Sequence, residues 1–147
     1  IAKYSETLSW PLEPFIGTLA TAPEREVVTS VLGQGAFGGN IDCRDIAPGH
    51  TIYLNAYNDG GLLYIGDVHG GQGDTEFTGI ADETRATVQL SCTVVKNKRL
   101  PCLRIDKGDS IVAVGINLPM EQAVYDATRN LMEWLEEDYG VTPRDLY

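Results

Sequence analysis

The densest group of ionisable side chains in this 147-residue sequence follows an apolar run at residues 62–65 and consists of Asp67, His69, Asp74 and Glu76. Side chains along a β-strand alternate between its two faces, so Asp67 and His69 share one face, and so do Asp74 and Glu76. Carboxylates and imidazoles are costly to bury unless they are paired or bound to a cation. The segment therefore predicts a buried strand that ends at a cation site, facing a second polar pair across a glycine-rich hairpin.

A third carboxylate, Asp42, follows the glycine-rich passage Gly38-Gly39-Asn40, in which positive φ angles let the backbone turn. Two aspartates and one histidine form a nitrogen and oxygen ligand set that suits Zn²⁺, and also Fe²⁺ or Mn²⁺. On this interpretation Asp42, Asp67 and His69 are the metal ligands. Glu76 stays unligated and is the proton acceptor for a water molecule that the ion activates.

The same residues also have an interpretation without chemistry. Acidic, glycine-rich hairpins are commonly solvated turns, and an Asp-x-His pair is a weak signal by itself. The other histidine, His50, follows Pro48-Gly49 and is expected at the surface. Spacing alone leaves both interpretations of the acidic segment open.

The elements that must position these side chains are mostly strands. Runs rich in β-branched or alternating apolar residues, separated by glycine-rich or proline-containing turns, lie at residues 15–20, 51–56, 62–69, 76–80, 86–96 and 110–117. The turn at residues 58–61, Asn-Asp-Gly-Gly, is typical of a hairpin. This pattern predicts an antiparallel β-sandwich or a barrel-like core.

The C-terminal part of the chain has a helical period. Apolar residues recur between Pro119 and Gly140, which predicts one long helix over about residues 119–139 with an apolar stripe on the sheet. The stripe consists of Val124, Ala127, Leu131, Trp134 and Leu135. Thr142 followed by Pro143 is typical of the start of another helix. The predicted class is mainly β with one long C-terminal helix (α+β), in one domain over residues 1–147.

The amino-acid composition limits which classes of partner and which cellular compartment are expected. Eleven Lys and Arg stand against 21 Asp and Glu, a formal charge of −10. Nucleic acid and anionic membrane surfaces select basic proteins, so neither is an expected partner. No run approaches the roughly 18 apolar residues of a membrane span, and the first residues give no secretory signal. The three cysteines lack disulfide or metal-motif spacing, so free thiols and a cytoplasmic location are expected.

Three motifs in a fixed order resemble a known family. They are Gly38-Gly39-Asn40-Ile41-Asp42, Gly49-x-Thr51-x-Tyr53-Leu54 and Gly66-Asp67-x-His69-x-x-Gln72-Gly73-Asp74-x-Glu76. With Pro14-Phe15-Ile16-Gly17-Thr18 and Ala22-Pro23 before them and Gly140-Val141-Thr142 after the helix, the chain resembles the acetamidase/formamidase family. The order and spacing run through nearly the whole chain, which makes the match more specific than any one motif.

This resemblance implies an amidohydrolase that converts short linear amides, such as formamide or acetamide, into a carboxylate and ammonia. It also implies a mostly β fold, a homo-oligomer, and a chain longer than 147 residues. Within that interpretation Asn40 and Gln72 are expected to hydrogen-bond the amide substrate. Asp74 joins Glu76 as a catalytic candidate, either as a ligand or by orienting His69. The ligand set makes Zn²⁺ the first candidate for the metal.

The sequence departs from the family pattern in three places. Thr75 stands where a small residue or glycine is usual, Gly60-Gly61 stands where Pro-Gly is common, and residues 78–84 also differ. These departures bear on the preferred amide more than on the metal site.

Two competing functions remain open. A thiol amidase would need a nucleophilic cysteine, but Cys43, Cys92 and Cys102 have no suitable base nearby in the sequence. A non-catalytic β-sandwich module would hold Ca²⁺ through Asp59, Asp67 and Asp74. Because Ca²⁺ seldom accepts an imidazole, His69 in the ligand set would argue against that module.

Overall fold

A computed structural model describes residues 1–25 and 31–147. Its strands are short, and its helices lie at the C-terminal end. In chain order the elements are β1 (Ala2–Lys3), β2 (Ser9–Trp10), β3 (Phe15–Ala20), β4 (Gln34–Gly35), β5 (Gly38–Asn40), β6 (Thr51–Tyr53), β7 (Tyr64–His69), β8 (Arg104–Asp106), β9 (Ile111–Ala113), α1 (Met120–Tyr139) and α2 (Pro143–Leu146). The predicted class, mainly β with one long C-terminal helix, is confirmed.

The strands of the described ranges form three antiparallel sheets with the orders β1-β2, β4-β5-β3-β7 and β6-β8-β9. None of these sheets closes into a barrel, so the antiparallel core is confirmed and the barrel-like alternative is not. The core joins the second and third sheets, because Leu19 of β3 and Ile105 of β8 belong to one buried cluster with Ile46 and Leu103.

Strand β3 is the central positioning element. Its Thr18 pairs with Asn40 of β5 on one side and with Gly66 of β7 on the other, and its Phe15 pairs with His69. The ends of β5 and β7 that carry polar residues therefore lie on either side of one strand. This register brings together two sequence segments that are separated by a long stretch of chain.

Two predicted strands are wrong. Residues 76–80 contain turns, and residues 86–96 are irregular and exposed. The hairpin predicted to return through residues 74–76 does not form, because β7 pairs with β3 and the chain returns to the end of β7 only at residues 82–84. β-Branched residues favour strands mainly when cross-strand neighbours pack on them, and residues 86–96 have no partner strand within the described ranges. The short strand β8 was not predicted.

Helix α1 matches the predicted bounds, and polar contacts add to its apolar stripe, of which Trp134 is buried and Ala127, Leu131 and Leu135 are half-buried. The side chains buried along it are Asn130 and Trp134, whereas Val124 of the predicted stripe is exposed. Arg104 of β8 donates to the Asn130 Oδ1 atom at 2.8 Å, and its guanidinium lies 5.4 Å from the centre of the Trp134 ring. The helix ends at Gly140, whose φ of 67° is left-handed. The predicted start at Thr142 is confirmed, since its side chain accepts the Asp145 N–H of α2.

Within the described residues, no helix has both the length and the apolar character that crossing a membrane would require.

Candidate functional site

The predicted ligands Asp42, Asp67 and His69 meet above the central strand β3. Asp42 lies two residues after β5, and Asp67 and His69 are on β7. A ligand atom from each of the three side chains lies within 4.8 Å of the other two. Asp67 and His69 therefore converge as the alternation argument predicted, and the segment that follows β5, on the other side of β3, supplies Asp42.

Gly17 of β3 makes room for this convergence. A Cβ atom at residue 17 would lie 2.7 Å from Asp67 Oδ2 and 2.8 Å from Asp42 Oδ1, closer than real Cβ contacts allow. It would also lie 2.7 Å from the Asp67 carbonyl oxygen, which belongs to the backbone and cannot swing away. The missing side chain is therefore what lets two carboxylates approach the same point.

Both aspartates have a left-handed backbone. Asp42 has a φ of 52° and Asp67 a φ of 57°, a region that non-glycine residues rarely adopt. The turn at Asp42 is fixed by the Gly17 carbonyl, which accepts the N–H groups of Ile41 and Asp42 at 3.0 and 3.1 Å. Such strain persists where the surrounding structure over-determines it, which is common at functional sites.

The imidazole of His69 is fully buried, and its Nε2 atom faces carboxylate oxygens. Nε2 lies 3.3 Å from Asp67 Oδ1 and 3.8 Å from Asp42 Oδ1. Four ligand atoms at about 2.0 Å from a tetrahedral zinc ion are separated by about 3.3 Å. The observed separations are close to that spacing, so the three side chains fit a divalent cation.

Gln72 fixes the orientation of the imidazole. Its Nε2 donates to the Asp42 carbonyl at 2.8 Å, and its Oε1 lies 2.9 Å from His69 Nδ1. Because Oε1 can only accept, this contact assigns the His69 proton to Nδ1 and leaves the Nε2 lone pair for a cation. Gln72 therefore does the orienting that the sequence interpretation gave to Asp74 as one alternative.

Asn40 donates a hydrogen bond to one carboxylate oxygen of Asp42 and leaves the other without a donor. The Asn40 Nδ2 group donates to Asp42 Oδ2 at 2.7 Å, and the Thr18 hydroxyl contacts both Asn40 Oδ1 and Asp67 Oδ2. The second oxygen, Asp42 Oδ1, is buried and accepts no hydrogen bond from any described residue. A buried carboxylate oxygen without a donor is costly, and a cation would satisfy it.

The electrostatics of the cluster point the same way. Burial is the main cause that raises the pKa of Asp42 from 3.8 to about 6, followed by the nearby charge of Glu76; Asp67 and Glu83 also raise it, and His69 lowers it. Several carboxylates thus compete for one imidazole. This excess of negative charge in a partly buried site is what a divalent cation would neutralise.

A second group of candidate ligands shares His69 and adds Glu76 and Glu83. The sequence interpretation proposed Glu76 for the site but not Glu83, whose Oε2 lies 3.6 Å from His69 Nε2. Glu83 is delivered by residues 82–84, which run antiparallel to the end of β7 and form a bridge to His69. Nothing in the local sequence marked this return, because it follows an irregular loop.

Asp74 lies apart from both groups. Its exposed carboxylate pairs with the Arg44 guanidinium at 2.6 Å, and Arg44 also donates to the Gln72 carbonyl at 3.4 Å. The predicted shared face of Asp74 and Glu76 depended on a strand that does not form. Asp74 is connected to Gln72 through Arg44.

A cavity of about 780 Å³ lies beside the cluster. Its lining includes Asp42, Arg44 and Asp74, together with apolar side chains such as Ile41 and Ile116, but neither Asp67 nor His69. Asp42 is thus the ligand candidate that the cavity and the cluster share.

The competing interpretations gain no geometric support. The cysteines are free, with Cys43 half-buried, Cys92 exposed and Cys102 buried. Burial raises the pKa of Cys43 and of Cys102, which disfavours the thiolate that a nucleophile needs. The calcium alternative required Asp59 and Asp74 beside Asp67, and neither belongs to a candidate ligand group in the described residues.

Comparison with known proteins decides the family. The profile of the acetamidase/formamidase family matches residues 30–110, which is more than half of the chain and includes every side chain of the cluster. The chain belongs to the acetamidase/formamidase family. A Schizosaccharomyces pombe protein whose name places it among the formamidases is 32% identical over 81 residues, which are 54% of this chain and 20% of that protein.

Solved structures agree with this family assignment. An acetamidase from Yersinia enterocolitica is 35% identical with a TM-score of 0.86, over 98% of this chain and 43% of that one. An acetamidase from Bacillus halodurans is 34% identical with a TM-score of 0.84, over 97% and 48%. A predicted acetamidase/formamidase from Thermoanaerobacter tengcongensis is 26% identical with a TM-score of 0.89, over 97% of this chain and 47% of that one. The present chain spans less than half the length of each of these three proteins.

Proposed function

We propose that this chain carries the cation site of a hydrolase that converts short linear amides, of the formamide and acetamide type, into a carboxylate and ammonia. The observation that carries the proposal is the buried, unsatisfied Asp42 Oδ1 atom, which faces His69 Nε2 beside Asp67. The family membership and the acetamidase names of the structural relatives supply the reaction class.

Asp42, Asp67 and His69 are the residues that would hold the ion, and Zn²⁺ suits their oxygen and nitrogen atoms best. When bound, zinc lowers the pKa of a water ligand toward about 7 and polarises a carbonyl group. An unactivated amide needs both effects, because water is a poor nucleophile and the amide nitrogen a poor leaving group.

Glu76 is the general base in this proposal. Its carboxylate lies within 4.8 Å of a ring nitrogen of His69, near the cation site. It accepts one proton from the attacking water and returns it to the nitrogen as the C–N bond breaks, so that water and amide become carboxylic acid and ammonia. The same carboxylate thus serves both steps.

The amide side chains hold the site and remain the proposed substrate contacts. Gln72 fixes His69 through one end of its amide and Asp42 through the other. Asn40 uses one N–H on Asp42 and has a second N–H that is proposed to bind the substrate carbonyl. Asp74 acts as a positioning residue through Arg44, which contacts the Gln72 carbonyl.

We further propose one domain over residues 1–147, a homo-oligomer, and a cytoplasmic location. Exposed apolar side chains at Val88, Leu90, Val94 and Val95 suit an association surface. The free cysteines suit a reducing compartment. The acidic charge of −10 disfavours nucleic acid as a partner.

Ammonia release from formamide and acetamide, with and without a chelator, tests the proposed reaction. We expect release that stops on chelation and returns on addition of Zn²⁺, and that is insensitive to iodoacetamide. Release that survives chelation but is abolished by iodoacetamide would instead support the thiol mechanism.

A further inference from the structure

Thr18 of the central strand β3 has a buried hydroxyl between the two segments that carry the candidate ligands. The residue is 5% exposed, in a strand whose other side chains are apolar. Its hydroxyl contacts the Asn40 Oδ1 atom on one side and lies 3.2 Å from Asp67 Oδ2 on the other. A buried hydroxyl is costly unless it is hydrogen-bonded, so the role of Thr18 depends on which of these atoms receives its proton.

The direction of each hydrogen bond follows from which atoms can donate. An ionised carboxylate only accepts, so the Asn40 atom that lies 2.7 Å from Asp42 Oδ2 is the Nδ2 donor. The other end of the Asn40 amide, Oδ1, therefore faces Thr18. Because Oδ1 can only accept, the Thr18 hydroxyl is the donor in this contact.

The single hydroxyl proton of Thr18 is needed by Asn40 more than by Asp67. The side chain of Asp67 is 33% exposed, so water reaches it, and it is one of the proposed cation ligands. Across residues 1–25 and 31–147, no group other than Thr18 donates to Asn40 Oδ1. Without the hydroxyl, this half-buried oxygen would be left without a donor.

Donation from Thr18 fixes the plane of the Asn40 amide. Thr18 holds Oδ1, and Asp42 Oδ2 holds one of the two Nδ2 protons, so the amide cannot rotate without breaking one of these contacts. The second Nδ2 proton then has one fixed direction. It is the proton proposed above to bind the carbonyl group of the substrate.

We propose that Thr18 is a positioning residue for substrate binding: its hydroxyl holds the Asn40 amide so that Nδ2 presents its second proton to the carbonyl group of the amide substrate. This inference rests on the proposed function, because it requires the same substrate. It predicts that substitution of Thr18 changes the affinity for the amide and leaves the affinity for the metal ion nearly unchanged.

The test compares Thr18→Val, which removes the hydroxyl and keeps the branched shape, with Thr18→Ser, which keeps the hydroxyl. Thr21→Val is the matched control. Thr21 is 8% exposed, its hydroxyl donates to the Asn55 carbonyl at 2.6 Å, and it follows β3 at the end away from His69. KM and kcat for acetamide are measured by ammonia release, and Zn²⁺ affinity by competition with a chromophoric chelator.

Thr18→Val should raise KM for acetamide by about three- to tenfold, as expected for the loss of one hydrogen bond to the substrate. The value of kcat should stay within about twofold, because the contact is made equally in the ground state and the transition state. Zn²⁺ affinity should change by less than about threefold, short of the tenfold or more that follows loss of a group that orients a metal ligand. Thr18→Ser and Thr21→Val should keep the wild-type KM.

The side-chain amide of Asn40 gives a readout that does not depend on activity. In ¹⁵N-labelled protein its two protons are assigned by their loss in Asn40→Asp. In Thr18→Val they should exchange with water at least about tenfold faster than in the wild type, because the amide is no longer held. Thr18→Ser and Thr21→Val should show the wild-type exchange rate.

A folded Thr18→Val with wild-type KM and wild-type exchange at Asn40 would overturn the proposal. Loss of Zn²⁺ affinity with KM unchanged would also overturn it, because the hydroxyl would then act on Asp67. Thr18→Ala, which removes the hydroxyl and adds no methyl group, should give the same results as Thr18→Val and replaces it if valine prevents folding. In the wild type, a Thr18 hydroxyl proton that exchanges freely with water would contradict the donation to Asn40.

These results are distinct from failure of the proposed function. If the wild type hydrolyses neither formamide nor acetamide, the proposed function fails, and the substrate role of Thr18 fails with it. If the wild type is active and Thr18→Val has the same KM, only the inference about Thr18 is overturned.

Discussion

At the scale of single residues, Asp42 shows how a site can be prepared for a cation. One oxygen of its carboxylate is held by Asn40, and the other is buried without a donor. Hydrogen bonds usually satisfy buried carboxylates, so an oxygen left free in a fixed position is an exception that needs an explanation. A cation between Asp42, Asp67 and His69 provides one.

The proposed role of Glu76 as general base predicts the effect of its substitution. Glu76→Gln should retain the metal while the rate of amide hydrolysis falls by about 10²-fold or more, because a neutral amide cannot accept the proton of the attacking water. Ammonia release and metal content measured on the same sample check this, with Glu136→Gln as a control. Normal activity in Glu76→Gln would remove the base from the proposed mechanism.

The raised pKa of Asp42 predicts a pH dependence in the metal-free protein. The folded pKa of about 6 exceeds the ordinary value of 3.8, chiefly because of burial and the charge of Glu76, with Asp67, Glu83 and His69 also facing the group. The unfolded chain therefore loses this proton at lower pH than the folded one does. Stability contributed by protonated Asp42 is complete below about pH 3.8 and is lost as the pH rises through about 6.

This dependence is measured as the difference in free energy of unfolding between the wild type and Asp42→Asn, which has no proton to lose. With chelator present, the wild type should lose stability relative to Asp42→Asn between pH 5 and pH 7, as expected for a folded pKa of about 6. A difference that stays constant across that range would show that the pKa of Asp42 is not raised by folding.

At the scale of elements, the site depends on the approach of β5 and β7 to the middle strand β3. Gly17 of β3 lies next to both carboxylates, and its missing side chain admits them. The register that places Thr18 between Asn40 and Gly66 aligns the three segments. The geometry of the site is therefore a property of the sheet as much as of the ligands.

Gly17→Ala should accordingly damage the site and the fold together. The added methyl group meets the Asp67 carbonyl oxygen at 2.7 Å, and overpacking of this kind costs about 1–3 kcal/mol. We expect a lower free energy of unfolding and weaker Zn²⁺ binding. Gly66→Ala is the matched control on the neighbouring strand, because a Cβ atom there would only touch the Tyr64 hydroxyl at 3.8 Å. Equal effects of the two substitutions would contradict this role for Gly17.

The sequence predicted the parts of the site that depend on local rules. Strand alternation predicted the shared face of Asp67 and His69, and the glycine-rich passage predicted the turn that delivers Asp42. Local rules could not identify Glu83, because its position depends on the path of the loop that returns to β7. They could not identify Gly17 either, because its role depends on contacts with Asp42 and Asp67, which lie far away in the sequence. The strand that was predicted to place Asp74 on one face with Glu76 does not form, so the role of Asp74 stays a prediction.

At the scale of the whole molecule, residues 83–99 form a long exposed segment rich in β-branched residues. Val94 is 80% exposed and Val95 is 63% exposed, values that are unusual for neighbouring apolar side chains. Unpaired segments of high β-propensity are prone to pair with other chains. The strand predicted over residues 86–96 does not form, and the described residues supply no strand to pair with this segment.

This exposure predicts how the proposed oligomer can be weakened. Replacing Val94 and Val95 with lysine should raise the dissociation constant by about tenfold or more, equivalent to about 1.4 kcal/mol. Light scattering over a concentration series measures the change. Leu118→Lys, at a side chain that is 90% exposed on another part of the chain, is the control. Association that is unaffected by the Val94 and Val95 changes would place the interface elsewhere.

If His69 and its acidic neighbours bind a catalytic divalent cation, the purified protein should contain that metal. Elemental analysis of the purified wild type should find about one Zn²⁺ per chain, as a single tetrahedral site requires. His69→Gln, shown by circular dichroism to remain folded, should retain little or none. A wild-type protein without stoichiometric metal, or a folded His69→Gln that keeps its zinc, would show that these side chains do not hold a catalytic cation.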